Sequence, residues 1–436
     1  MKMMFCALCA YIVLTPSFSQ DTLALTLEEA LSRGVSHSYD LRNQELNLRG
    51  AALEAARLDA RRAPVLGAGG DLRSNLILPT TIIPGSVFSN PGQGEGDRKV
   101  RFGTVFNISA TLDATYPLID PTLPTDRQLA EARRALQGSV LEIQKKQVRL
   151  QVSEAWYEVF LSEEQLRLAA DKLQRARDLL AVTYARRDAG TALPSELLRS
   201  QLEVENALAA HEQANYQLTS TRQALAYRTG IPLTTPLRTA GMPAPEAPRP
   251  LPAAQPEKRA EIAEYQQRLA ISELEAGRIE KQYQPSLNLY GSAAVQHLSN
   301  TFSVWQNWFP LAFIGLQAKV VLFDGQLKRR DQEIAAVKRM VAQQDLEKKQ
   351  EEIAFEVSTA ETAVQQSVVQ WNKAQANVAA GRQLFALERE RFAQGKLAYS
   401  ELLNTDYALR EAERNALSAW YNYLLARARW ERAAGM

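Results

Sequence analysis

ERERFAQGKLAYSELL, residues 388–403, restates an earlier stretch of the same chain, TYARRDAGTALPSELL, residues 183–198. Gly190 aligns with Gly395, Ser195 with Ser400, Glu196 with Glu401, Leu197 with Leu402 and Leu198 with Leu403, all at a spacing of 205 residues. The same spacing pairs Asp126 with Asp331, Tyr216 with Tyr421 and Gly230 with Gly435. A second match at a spacing of 221 pairs Arg57 with Arg278, Pro64 with Pro285, Leu66 with Leu287 and Gly70 with Gly291. Two aligned blocks in the same order mark a duplicated unit, and a longer loop inside the first copy accounts for the two spacings. A repeat of this size decides the architecture before any single motif does.

Each copy has the same order of elements. Residues 40–63 and 257–284 are rich in Ala, Leu, Glu and Arg and read as helices stopped by Pro64 and Pro285. A strand pair follows, then a long helical stretch without proline, about 126–187 and 326–393. Each is broken at a glycine turn, and a second helix runs through about 195–229 and 400–433. Helices of this length belong in coiled coils. Leu197, Val204, His211, Leu218 and Leu225 recur every seven residues, as do Leu402, Leu409, Ala416, Tyr423 and Trp430. The intervening positions are mixed, Asn215 and Arg222 among them, so this is no strict two-stranded zipper. Between the copies, residues 231–256 hold eight prolines and read as an extended return segment.

The strands carry a membrane signature. Over residues 100–115, Val100, Phe102, Thr104, Phe106, Ile108, Ala110, Leu112 and Ala114 alternate with a mostly polar set that includes Arg101, Asn107, Ser109 and Asp113. Residues 312–322 repeat the pattern with Ala312, Ile314, Leu316, Ala318, Val320 and Leu322 on one side and Gln317 and Lys319 on the other. Residues 65–78 and 286–298 also alternate, with Leu66, Leu72, Leu76 and Leu78 on one face and Leu287, Leu289, Ala293 and Val295 on one face. Soluble strands average about five to six residues, whereas tilted membrane strands need about 9–11. Four such strands cannot close a barrel, and open edges are not tolerated in lipid. Closure must be shared by more than one chain. The loop 79–99 is rich in Pro, Gly and Ser. Phe302, Trp305, Trp308 and Phe309, with Phe313 following, read as an interfacial aromatic girdle, against the alternative of a small aromatic core under a loop.

Composition narrows the function. Lys plus Arg number 51 and Asp plus Glu 49, a net charge of +2, which offers no basic footprint for nucleic acid. The three histidines, His37, His211 and His297, lie far apart, and no metal or cofactor site is expected. Nor does any set of nucleophile, base and acid, or any phosphate loop, point to an enzyme. Residues 1–19, with Lys2 before the apolar run Phe5 to Leu14 and small Ser17 and Ser19 before Gln20, read as a secretory signal peptide. Cys6 and Cys9 are the only cysteines, and their place before or within that run excludes a lipoprotein signal.

The order of helix, hairpin, long helix, glycine turn and helix, given twice behind a signal peptide, resembles the TolC-like outer membrane efflux protein family. LTLEEALSRG at 25–34 is similar to the family's opening segment, and RFAQGKLAYSELLNTDYALREAERNALSAWYNYLLARARWERAAG at 391–435 to its C-terminal helix pair. The resemblance spans residues 25–435. It implies a mainly α fold with membrane β-hairpins, in which a long periplasmic α-helical barrel carries a shared 12-stranded outer-membrane β-barrel in a homotrimer. It assigns 20–64 and 257–285 to upper periplasmic helices, 65–118 and 286–323 to outer-membrane hairpins, 126–230 and 331–435 to periplasmic helical hairpins, and 231–256 to the linker between repeats. The implied function is an exit duct of a tripartite efflux or type I secretion system, with a periplasmic adaptor and an inner-membrane transporter as partners. The alternative from another class is a periplasmic coiled-coil adaptor or scaffold, which explains the helices but not the strands. By the resemblance, Glu401 stands at the first acidic position of the periplasmic gate, and Asn404 at the second, where the family's best-known member has an acid. Glu196 and Arg199 are the equivalents in the first copy. Arg199 or Lys396 could pair with the gate acid. Gly190 and Gly395 read as turn formers, and with Ser195, Lys396 and Ser400 they mark helix tips where an adaptor docks. Helix capping is the alternative role: Ser195 and Ser400 as N-caps, Glu196 and Glu401 as first-turn acids.

Overall fold

The computed structural model describes residues 23–83, 98–240, 250–302 and 308–436. The signal-peptide segment 1–19 and Trp305 lie outside the described residues. The chain begins with β1 (Leu23–Leu25), α1 (Leu27–His37) and α2 (Tyr39–Ala60), then β2 (Val65–Ser74), β3 (Thr80–Ile83), β4 (Arg98–Arg101) and β5 (Phe106–Ile119). α3 (Leu123–Asp188), α4 (Pro194–Thr229) and β6 (Leu237–Thr239) complete the first copy. The second has α5 (Ala260–Lys281), β7 (Ser286–Ser299), β8 (Trp308–Lys319), α6 (Leu327–Ala393) and α7 (Tyr399–Ala433).

The chain forms two compact units. One gathers the described residues up to Glu45 with Val140–Ile262 and Lys348–Met436. Its helices pack by their heptad residues: Leu402, Leu409, Tyr423 and Trp430 are buried, as are Leu218 and Leu225. Trp371, Trp420 and Tyr423 stack in one cluster, with ring centroids 5.0 Å and 5.4 Å apart. α1 opens on a capping box, in which Thr26 and Glu29 satisfy each other's backbone N–H groups. Trp156 is buried, and its indole N–H donates to the Leu25 carbonyl at 2.9 Å. β1 pairs in parallel with β6, so part of the proline-rich return segment forms an edge strand. Farther along, the buried Arg259 binds Glu261 and Glu356 at 2.6 Å each and donates to the Ala433 carbonyl, anchoring the start of the second copy to its end.

The other unit comprises Leu46–Ser139 and Ala263–Glu347 and contains an antiparallel sheet in the order β2-β5-β7-β8. The first hairpin meets the second through β5 and β7, leaving β2 and β8 as edges. Three strand expectations change. Residues 100–115 are not one strand: β4 pairs with β3 in a separate two-stranded sheet, Gly103 takes φ 111°, and the main strand starts at Phe106. β2 ends at Ser74, short of Leu76 and Leu78. β8 spans 308–319, so Val320 and Leu322 fall beyond it.

Beside this sheet, Arg61 binds both Asp120 and Asp126 at 2.6 Å, and Arg278 also donates to Asp126. The cluster ties α2, α3 and α5 together. Burial pushes the Asp126 carboxyl up, but hydrogen bonds from Arg278 and Arg61 outweigh it, and its pKa lies below the ordinary 3.8. A depressed carboxyl contributes stability above its unfolded value and loses it as pH falls through the folded one. Asp126→Asn is therefore expected to cost about 1–2 kcal/mol at pH 7 and to flatten the loss of helical signal as pH falls below 3.8, measured by circular dichroism.

Candidate functional site

The sheet sorts its residues by charge. Cross-strand register places Asp71, Arg73, Asn107, Ser109, Asp113, Asn288, Ser292, Gln296, Gln317 and Lys319 on one face. Asp71, Arg73, Asp113 and Lys319 are the only formally charged residues of the four strands, and all four share that face. The opposite face carries Leu66, Leu72, Ile108, Leu112, Leu287, Leu289, Val295, Ile314 and Leu316. Much of it is bare: Ile314 is 76% and Leu72 64% exposed. A face this apolar, uncharged and uncovered is suited to hydrocarbon rather than water.

The aromatic residues divide between the two faces. Trp308 stands on the uncharged face beside the buried His297, their ring centroids 5.5 Å apart. Phe302 packs edge-on against Phe106 of that face, at 5.5 Å. Phe309 and Phe313, however, stand on the charged face, because successive strand residues point to opposite sides. Phe309 therefore leaves the expected girdle.

In the other unit, each helical hairpin turns on its glycine. Gly190 has φ 70° and Gly395 φ 74°, the left-handed region that glycine adopts without strain. Gly190 N–H donates to Arg187 O and Thr191 N–H to Arg186 O, both at 2.8 Å. In the second copy Gly395 N–H donates to Phe392 O at 2.9 Å and Lys396 N–H to Arg391 O at 2.8 Å. The same helix-ending motif is thus built twice. Ser195 and Ser400 are not N-caps. The caps are Leu193 and Ala398, without side-chain hydrogen bonds, and the serines lie inside the first turn. Both helices begin one residue before the serine, at the equivalent positions Pro194 and Tyr399, and Pro194 suits the first helical position.

Around these turns, Glu401, Asn404, Arg199 and Lys396 are all exposed. Among the described residues, Glu401 has no ion pair with Arg199 or Lys396 within the chain. Glu196 is half-buried, and its nearest cation is Arg186, 3.9 Å away. Arg186 also stacks over Phe392 at 4.4 Å, joining the first hairpin's turn to the second hairpin. The second tip buries Phe392, Leu397, Tyr399 and Leu402, whereas the first exposes Leu193, Leu198 and Leu202. Arg186 was absent from the expected set, although its spacing of 205 from Arg391 marks it as a repeated last-turn cation.

The sequence profile of the outer membrane efflux protein matches residues 30–230 and 253–436. The chain belongs to this family. Its fold is shared with CusC, at 16% identity and a TM-score of 0.74 over 97% of this chain and 95% of that one. VceC of Vibrio cholerae superposes at a TM-score of 0.70 and 16% identity, covering 94% of this chain and 96% of that one. The open state of MtrE of Neisseria gonorrhoeae gives 0.73 and 18%, covering 94% and 88%. Among curated proteins, none matches the chain. As an outer membrane efflux protein it is a channel component, not an enzyme, and resides in the outer membrane while extending into the periplasm.

Within this efflux protein, a charged cluster joins α3, α4, α6 and α7. Arg410 binds Glu203 at 2.8 Å and Asp406 at 2.7 Å, and Tyr407 donates to Glu203 at 2.9 Å. Arg175 reaches Asp406 at 3.3 Å and Glu413 at 3.5 Å, and Arg382 reaches Glu413 at 3.1 Å. The three carboxylates are buried. Burial pushes the Asp406 carboxyl up, against the pull of Arg410 and Arg175. Asp406 and Glu413 occupy alternate heptad positions of α7, four residues after Leu402 and Leu409. Removing one member of such a cluster leaves a buried charge unpaired. Arg410→Ala is expected to cost about 3 kcal/mol in thermal unfolding, and Arg410→Lys to recover only part of it, since an ammonium lacks the fork that spans two carboxylates.

Proposed function

We propose that this chain is the exit duct of a tripartite efflux or type I secretion system, assembled as a homotrimer. It receives substrate from an inner-membrane transporter through a periplasmic adaptor. The observation that carries this reading is the four-stranded sheet with all its charges on one face and two unpaired edges. In lipid each free edge leaves unsatisfied backbone groups, so a stable span needs further strands. Three copies supply twelve, an even number suited to an outer-membrane barrel. The hairpins 65–118 and 286–323 then form its wall, with the charged face toward water and the uncharged face toward lipid. The uncharged face equally counts against a wholly periplasmic adaptor or scaffold.

In the same reading the helical segments 126–230 and 331–435 form the periplasmic duct, and their glycine turns face the adaptor. The exposed Leu193, Leu198 and Leu202 beside Gly190 support docking at the first tip. Glu401 is the gate acid. It is exposed in the first turn of α7, where three symmetry-related copies concentrate negative potential at one constriction. Asn404, one helical turn on, adds no charge, so Glu401 carries the effect in the second copy alone, with Glu196 and Arg199 opposing each other in the first.

The test is single-channel recording in planar bilayers. The wild-type protein is expected to conduct and to be blocked by a polyvalent cation added from the periplasmic side. Glu401→Gln should raise the blocking concentration on the order of tenfold, a loss of about 1.4 kcal/mol of attraction. Conductance and block both unchanged would reduce Glu401 to a helix-turn residue, and recovery of a soluble monomer without conductance would overturn the duct.

A further inference from the structure

Two features of the sheet are only partly accounted for inside the chain, where Phe313 meets the Tyr290 ring edge-on at a centroid distance of 6.0 Å. The first is an apolar run on the charged face of β8: Phe309, Leu311 and Phe313 are 53%, 52% and 49% exposed, on the side that holds Gln317 and Lys319. A face toward water gains nothing from three large apolar residues. The second is the bareness of β2 on the same face, where Gly67 and Gly69 stand between Val65 and Asp71. Gly67 has no left-handed φ, and a Cβ built on it meets nothing within 4 Å. Gly69 is confined only by the Thr111 hydroxyl, 3.1 Å from such a Cβ. Glycine weakens a strand unless something approaches it closely.

β8 and β2 are the two open edges of the sheet. Resting on the trimeric-channel reading, we propose that the water-side surface of each seam between copies is an aromatic-on-glycine lock. Phe309, Leu311 and Phe313 of one copy pack across Gly67 and Gly69 of the next. Each feature then explains the other, since the bulky edge fills the space that the bare edge leaves. The sheet already contains this device within one chain. Tyr290 of β7 lies opposite Gly315 of β8 on the same face, and its ring atoms stand 2.9–3.0 Å from where a Gly315 Cβ would be. An aromatic side chain covering a cross-strand glycine replaces the packing that the glycine lacks. The lock also fixes pairing parity. The charged faces of neighbouring copies must align, because a slip of one residue would place Ala68 and Gly70 under the aromatics.

The full-length protein, extracted from outer membranes in mild detergent, provides the test. Cysteine pairs join position 67 or 69 to position 309, 311 or 313, with Ala68→Cys as the opposite-parity control. Oxidation should yield covalently linked oligomers on non-reducing gels for at least one pair from position 67 or 69 and for none from position 68. In parallel, Gly67→Trp and Gly69→Trp should lose the heat-resistant trimer band, while Ala68→Trp, facing lipid, should keep it. Assembled trimers that link through position 68, or that tolerate tryptophan at both glycines, would overturn the lock and leave the channel standing. A wild-type protein that forms no oligomer would overturn the channel reading itself.

Discussion

The backbone hydrogen-bonding requirement governs the rest of the molecule. A strand in hydrocarbon has no water to satisfy its N–H and C=O groups, so a membrane sheet must close. This chain provides four strands with Leu66, Ile108, Leu289 and Ile314 on the uncharged face, and it leaves β2 and β8 without partners. On the proposed trimeric reading, a single copy therefore supplies half of each of two seams rather than a finished structure. The duplication fits that economy: one gene segment, used twice, gives two hairpins that meet at β5 and β7.

The helical unit meets a different constraint. Its long helices carry charged residues at core positions, and Asp406, Glu413 and Glu203 are buried only because Arg410, Arg175 and Arg382 accompany them. Such a cluster contributes modestly to net stability, since desolvation offsets most of the attraction. It does fix which helix faces meet, because an out-of-register pairing would strand a buried charge. The apolar tip formed by Phe392, Leu397 and Tyr399, with Arg186 laid across it, holds the two glycine turns in a fixed relation.

Much of this was legible in the sequence because it depends on period and spacing. The repeat at 205 residues located both glycine turns, and the two hydrogen bonds at each turn are the same in both copies. Alternation over 100–115 assigned the two faces of β5 correctly from Phe106 onward. Where the reading overreached, a local backbone feature intervened. Gly103 interrupts what looked like a sixteen-residue strand, and α4 and α7 start one residue ahead of Ser195 and Ser400, at Pro194 and Tyr399. The girdle reading grouped Trp308 with Phe309 by proximity, although adjacent strand residues cannot share a face. The charged cluster was hidden for another reason. Asp406 and Glu413 follow the heptad residues Leu402 and Leu409 by four positions, and their partners Arg175 and Arg382 lie on α3 and α6, distant in sequence. The gate assignment of Glu401 came from family resemblance, since nothing in its spacing alone separates a gate acid from a first-turn acid.

On the proposed reading, one sheet separates lipid from water, face by face. Spin labels placed singly at positions 107 to 115 of β5, in the protein reconstituted in vesicles, test it by relaxation from a lipid-soluble and a water-soluble paramagnet. A period of two with opposite phase is expected: positions 108, 110, 112 and 114 open to the lipid-soluble reagent, and 107, 109, 111, 113 and 115 to the water-soluble one. Equal access of the water-soluble reagent to both faces, or lipid access on the face of Asp113, would contradict it.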